Sequence, residues 1–116
     1  MEKRFSELQS LKIPIEESTK QLFRDSLGYE LNRVECRILE SRDLIVNIER
    51  KDSATERFLL TQNRADLALE IGSTINRILK ERLTLTLIDK FGLSIAEISC
   101  LQSATPNQFG LFILVS

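Results

Sequence analysis

The chain has no histidine and no tryptophan, only two cysteines, two prolines and four glycines among its 116 residues. Each shortage removes a class of function. Without histidine there is neither the commonest general acid/base near neutral pH nor the commonest metal ligand. Ser/His/Asp and Cys/His nucleophile arrangements are excluded by composition. The glycines, at 28, 72, 92 and 110, form neither a phosphate-cradling loop nor a dinucleotide fingerprint. There is no CxxC pair and no D-x-D grouping for magnesium or calcium. No apolar run approaches the ~20 residues needed to span a bilayer. The opening MEKRFSELQSLK lacks the apolar core of a secretory signal. A net charge of −1 supplies no basic field for nucleic acid. The aromatics (Phe5, Phe23, Tyr29, Phe58, Phe91, Phe109 and Phe112) fall mostly at core-like positions. Carboxylate pairs such as Glu16/Glu17 point to different helix faces and do not converge for acid/base work. The expectation is a cytoplasmic protein that is not an enzyme, with no cofactor, no metal, no nucleic acid and no direct membrane insertion.

What is present is ordinary for a globular domain: 42% hydrophobic and 28% charged residues, enough for one core without staples. Cys36 and Cys100 sit in strand-like segments among apolar neighbours, as buried free thiols do. A disulfide between them is geometrically possible, but a reducing compartment disfavours it.

Residues 1–13 read as an N-terminal helical arm, with Phe5, Leu8 and Leu11 three apart. So short a helix must dock, either on its own domain or on a second subunit. Residues 14–116 read as one α+β domain. Pro14 suits the first turn of a helix over 14–27, with Ile15, Thr19, Leu22, Phe23, Ser26 and Leu27 on one face and Gly28 as its cap. From Asn32 the period drops to two. Val34, Cys36 and Ile38, then Leu44, Val46 and Ile48, flank the polar turn at 40–43 and predict an antiparallel hairpin. Ser53 and Glu56 have capping-box form for a short helix through Phe58, Leu59 and Leu60.

Asn63 to Gly92 reads as one long amphipathic helix of about 40 Å at ~1.5 Å per residue, begun by Asn63 with Asp66 three residues on. Its stripe is Ala68, Ile71, Ile75, Leu79, Leu83, Leu87 and Phe91, widened by Ile78 and Ile88. The alternation at Leu83–Leu87 also fits a strand, but the stripe continues through it. Strands follow at 95–101 and 109–115, joined by a turn at Thr105-Pro106-Asn107. The last is apolar on both faces and calls for cover on both sides. The fold class is therefore α+β: N-terminal helix, β-hairpin, short helix, long helix, β-hairpin, with the helices packed on a four-stranded sheet.

Ten arginines stand against six lysines. Arg33, Arg37, Arg42, Arg50, Arg57 and Arg64 cluster in the middle third among Glu30, Glu35, Glu40, Glu49 and Glu56. Two readings stand open: a solvated, ion-paired face, or a recognition surface. The residues singled out for partner binding are Phe5, Leu8, Leu11, Arg37, Arg42, Phe109, Leu111 and Phe112.

Phe23-Arg-Asp-Ser-Leu-Gly28, Arg33-Val-Glu-Cys-Arg-Ile38 and Asp43-Leu-Ile-Val-Asn-Ile48 resemble the opening of the MpsC-like family, formerly a domain of unknown function. The long helix, the Phe91-Gly92-Leu93 step and the closing strand pair are similar to that family as well, over roughly residues 15 to 116. Members often carry a His-Ser-Asp-like step where this chain has Gln102-Ser103-Ala104. The resemblance implies an accessory component of a sodium-translocating, membrane-potential-generating system linked to inorganic-carbon uptake.

Two functions follow as expectations. One is a small homodimeric protein-binding or assembly factor that recognises a partner protein segment at a sheet edge or in a groove, in bacterial inorganic-carbon concentration such as carboxysome shell assembly. The alternative is a soluble accessory subunit of a sodium/bicarbonate-linked membrane-potential-generating transport system.

Overall fold

A computed structural model describes residues 5–28, 31–102 and 107–116. The chain forms α1 (Phe5–Gln9), α2 (Lys12–Leu27), β1 (Arg33–Ile38), β2 (Leu44–Glu49), α3 (Ala54–Thr61), α4 (Ala65–Phe91), β3 (Ile95–Gln102) and β4 (Gln108–Val115). This is the α+β order read from the sequence. The four strands form one antiparallel sheet in the order β1-β2-β4-β3. The two hairpins meet through β2 and β4. β4, apolar on both faces, takes a central place, and the charged or polar alternation of β1 and β3 goes to the edges.

One face of the sheet is the core. Val34, Cys36, Leu44, Val46, Ile48, Phe109, Leu111 and Ile113 point into it and meet Ile15 and Phe23 of α2 and Leu79, Leu83 and Leu87 of α4. The Phe23 and Phe109 rings stack with centroids 6.3 Å apart. Leu8 of α1 is fully buried in this same core, so the arm docks on its own chain there. The outer edge of β1 is closed by α2, where the Cys36 N–H donates to the Glu16 carboxylate at 2.8 Å.

Local differences from the sequence reading have physical reasons. α2 starts at Lys12 rather than Pro14. Pro14 still falls in the first turn, where its missing N–H has no helical acceptor to lose. Asn63 does not begin α4. It takes a left-handed φ of 57° at the joint between α3 and α4, and the N-cap is Arg64 with no side-chain capping bond. Asparagine is among the few residues that tolerate that conformation. The alternating stretch 83–87 is helical, with Leu83 and Leu87 buried and Leu85 exposed. Ile71, Ile78 and Ile88, expected in the stripe, lie outside the core, and Gly72 and Asn76 are buried instead. The turn residues Thr105 and Pro106 and the Ser103-Ala104 step lie outside the described residues.

Arg50 explains the buried glycine and asparagine. It leaves the end of β2 fully buried, as does Glu56 in the first turn of α3 at 2% exposure. Two hydrogen bonds join the guanidinium to the Glu56 carboxylate, at 2.8 and 3.2 Å. Arg50 Nε donates to Asn76 Oδ1 at 3.0 Å, and its terminal nitrogens donate to the carbonyls of Lys51 and Gly72. Glu56 is also half of the capping box: its Oε1 accepts from the Ser53 N–H at 2.9 Å, and Ser53 Oγ accepts from the Glu56 N–H at 3.2 Å. Neither residue belongs to a solvated or recognition surface. They form a bolt between β2, α3 and α4, and among the described residues no buried side-chain nitrogen or oxygen lacks a partner.

Burial works against ionisation of Glu56, but the hydrogen bonds from Arg50 and Ser53 outweigh it and hold the carboxyl below its ordinary 4.5. A depressed folded-state value stabilises the fold in full above the unfolded value, and that stability is lost as pH falls through the folded value. Removing one member leaves the other charge buried alone, so Arg50→Met or Glu56→Gln should each cost about 3–5 kcal/mol in urea denaturation. Arg33→Ala, which breaks an exposed pair with Glu35, should cost less than about 1 kcal/mol. The acid limb of the stability profile below pH 4.5 should flatten in Glu56→Gln, since its titrating carboxyl is gone. An unchanged acid limb would show that other carboxylates carry it.

Candidate functional site: the uncovered face of the sheet

The residues that alternate with the core set make the opposite face, and none of α2, α3 or α4 contributes to the core from that side. Register places them in rows. Arg37, Ile45, Phe112 and Ser99 share one row; Glu35, Asn47, Gly110 and Leu101 share the next; Arg33, Glu49 and Gln108 share a third. Leu114 stands opposite Glu97 at the far end. The middle of the face is thus half-buried apolar surface from Ile45, Phe112 and Leu114, with arginine and glutamate along its rim. An apolar centre with a charged, arginine-bearing rim is the make-up of a protein-contact surface.

Gly110 gives this face a recess. It has no side chain to fill the row between Asn47 and Leu101, and an added Cβ would stand 2.9 Å from Asn47 Oδ1. The result is a groove of about 380 Å³ lined by Arg33, Glu35, Asn47, Glu49, Leu101 and Gln108. Arg33 holds Glu35 at 2.8 Å on its wall, and Leu101 is 49% exposed. A second groove of about 370 Å³ runs between α4 and β3, lined by Glu70, Thr74, Arg77, Lys80 and Cys100. Among the described residues no three His, Cys, Asp or Glu side chains cluster where a metal could be held.

The residues proposed from sequence for partner binding separate cleanly. Arg37 and Phe112 come together on the uncovered face as register neighbours across Ile45. Arg42 is exposed at the β1–β2 turn with a φ of 70°, away from that row. Leu8, Phe109 and Leu111 are interior side chains of this chain, so they offer no surface to a partner, and Leu11 is half-buried against the same core. The side chain of Phe5 lies outside the described residues. Period-two alternation places 109 and 111 on the same face as Val46 and Ile48, and that face proved to be the helix-covered one. The groove was missed. Its sequence signal was a glycine inside a strand pattern, which marks a bulge or close approach.

Fold and surface together define a two-layer α+β protein whose helices cover one face of the sheet. The chain belongs to the MpsC family, described as a Na+-translocating membrane potential-generating system, which it matches over residues 8–107. No curated protein and no solved structure matches it.

The cysteines differ in environment. Cys36 is buried and Cys100 is half-exposed on the second groove; both are free. Burial, reinforced by the negative charge of Glu16 and partly offset by Lys12, pushes the Cys36 thiol up to about 12. At pH 8 it is therefore a protonated, shielded thiol without nucleophilic character. Iodoacetamide on the native protein should label Cys100 alone, with Cys36 following only after denaturation, as read by mass spectrometry of the peptides. Labelling of Cys36 at an equal rate would mean that the contact between α2 and β1 opens readily.

Proposed function

We propose that the protein is a non-catalytic accessory subunit of a Na+-translocating, membrane-potential-generating system, docking through the uncovered sheet face onto a membrane-embedded partner protein. The family match over residues 8–107 is the observation that carries this reading. Its description names sodium translocation and membrane potential, which favours the accessory-subunit expectation over the carbon-shell assembly factor. Among the described residues no helix is long and apolar enough to cross a membrane, so in this reading the partner supplies the ion path. The uncovered face supports the docking step, because Ile45 and Phe112 provide an apolar centre while Arg33 and Arg37 provide cations that bind carboxylates bidentately. The groove over Gly110 offers room for one projecting partner side chain.

The test is a deletion strain complemented with wild-type protein or with the Arg37→Glu/Phe112→Asp variant. Wild type should restore Na+-dependent membrane potential, read with a potential-sensitive dye, and should co-purify with one multi-spanning protein from detergent-solubilised membranes. The variant, checked for folding by circular dichroism, should lose both. A deletion strain with unchanged Na+-dependent potential would overturn the reading. Full complementation by the variant would move the docking surface elsewhere.

A further inference from the structure

The solvent side of α4 carries a second apolar seam, separate from the one that faces the sheet. From Leu67 to Ile88 the chain steps by four and three residues in turn through Leu, Ile, Thr, Ile, Glu, Leu and Ile. That is the period of about 3.5 residues that marks a coiled-coil seam, sustained over three heptads. Its members lie open: Ile71 is 36% exposed, Ile78 42%, Leu85 60% and Ile88 41%. They are the residues the core left out when Gly72 and Asn76 turned inward to Arg50.

We infer that α4 pairs with α4 of a second copy of this chain, antiparallel, with Ile71 against Ile88. Charge selects this register. A parallel pair would set Glu81 against Glu81 in the seam and Arg77 across from Arg82, like on like. The antiparallel register that matches Leu67 with Leu85 stacks Arg77 on Arg77 at the two-fold axis. Matching Ile71 with Ile88 instead sets Leu85 on Thr74 and Ile78 on Glu81, and brings Arg77 beside the Glu81 of the other copy. No like charges then face each other.

The ends of the molecule agree with this arrangement. The N-terminal part of α2 lies beside the C-terminal end of α4, tied by Lys90 Nζ to Ser18 Oγ at 2.8 Å, and exposes Ile13 at 61%. α3 lies beside the opposite end of α4 and exposes Phe58 at 63%. An antiparallel pair brings each of these ends to the other, so the isolated chain's exposed apolar residues at both ends gain neighbours. An isologous contact of this kind closes as a dimer.

The measurement is the solution mass of the full chain by sedimentation equilibrium across the micromolar range. The expected value is twice the 13.3 kDa of one chain. Ile78→Glu should return it to one chain that keeps its helical circular dichroism spectrum, since the site is solvent-exposed in the single chain. Its melting temperature should lose the concentration dependence of the wild type. In a Cys100→Ser background, Ile71→Cys/Ile88→Cys should form a covalent dimer on mild oxidation. The two positions lie about 25 Å apart along one helix, which bars a bond within a chain. Leu85→Cys should form none. A monomeric wild type, a dimeric Ile78→Glu, or homotypic cross-linking at Leu85→Cys would each overturn the inference. A chain that is monomeric alone and binds one to one with a membrane protein along α4 would overturn it too, while leaving the accessory-subunit reading standing.

Discussion

A buried arginine-carboxylate pair costs more to desolvate than it returns unless its remaining donors and acceptors are met, and in this protein they are met by parts far apart in the chain. Arg50 closes the first hairpin, Glu56 opens α3, and Asn76 and the Gly72 carbonyl belong to α4. Satisfying the guanidinium therefore fixes the rotation of α4 about its own axis. With Gly72 and Asn76 turned inward, Leu79, Leu83 and Leu87 face the sheet and Ile71, Ile78 and Leu85 face water. Apolar burial drives the sandwich together, while the polar cluster decides which apolar residues are buried. α4, at about 40 Å, outruns even the longest strands, at about 26 Å, and the molecule measures 50 × 22 × 19 Å. Its radius of gyration of 14.9 Å exceeds the roughly 13 Å of a compact domain of this length.

That arrangement has two consequences for function. Putting the helical cover on one face of the sheet leaves the second apolar face of β4 open, and Gly110 gives that face a recess. Rotating α4 by the needs of Arg50 leaves a heptad seam on the outside. The two surfaces lie on different sides of the molecule, so the proposed self-association along α4 and the proposed docking through the sheet would not compete. A dimer built on α4 would present two sheet faces to the membrane partner, which raises the effective concentration of the second contact once the first is made.

Much of the fold was legible because local signals agreed with one another. Alternation marked β1, β2 and β3 and an apolar run marked β4, the Ser53–Glu56 capping box placed the start of α3, and Gly28 and Gly92 ended α2 and α4 in left-handed caps at φ of 79° and 64°. The facing of α4 was not legible. Its apolar residues outnumber what one stripe can hold, and hydropathy has no term for a buried guanidinium that draws in an asparagine and a glycine carbonyl. The same cause hid Arg50, which in sequence is one of six arginines amid glutamates. The candidate site was half legible. Arg37 and Phe112 are on the uncovered face, but the choice of which face of β4 the helices cover depends on strand order, and strand order is not written in any one strand.

The central claim is that the Arg50–Glu56 cluster ties α3 and the N-terminal half of α4 to the sheet. Native-state hydrogen exchange on Arg50→Met tests it most directly. The account predicts that amides of α3 and of α4 from Ala65 to about Leu79 lose protection, while β2, β4 and the Leu83–Leu87 segment keep theirs relative to the new global stability. Uniform loss across the sheet and helices, or unchanged protection in α3, would contradict it.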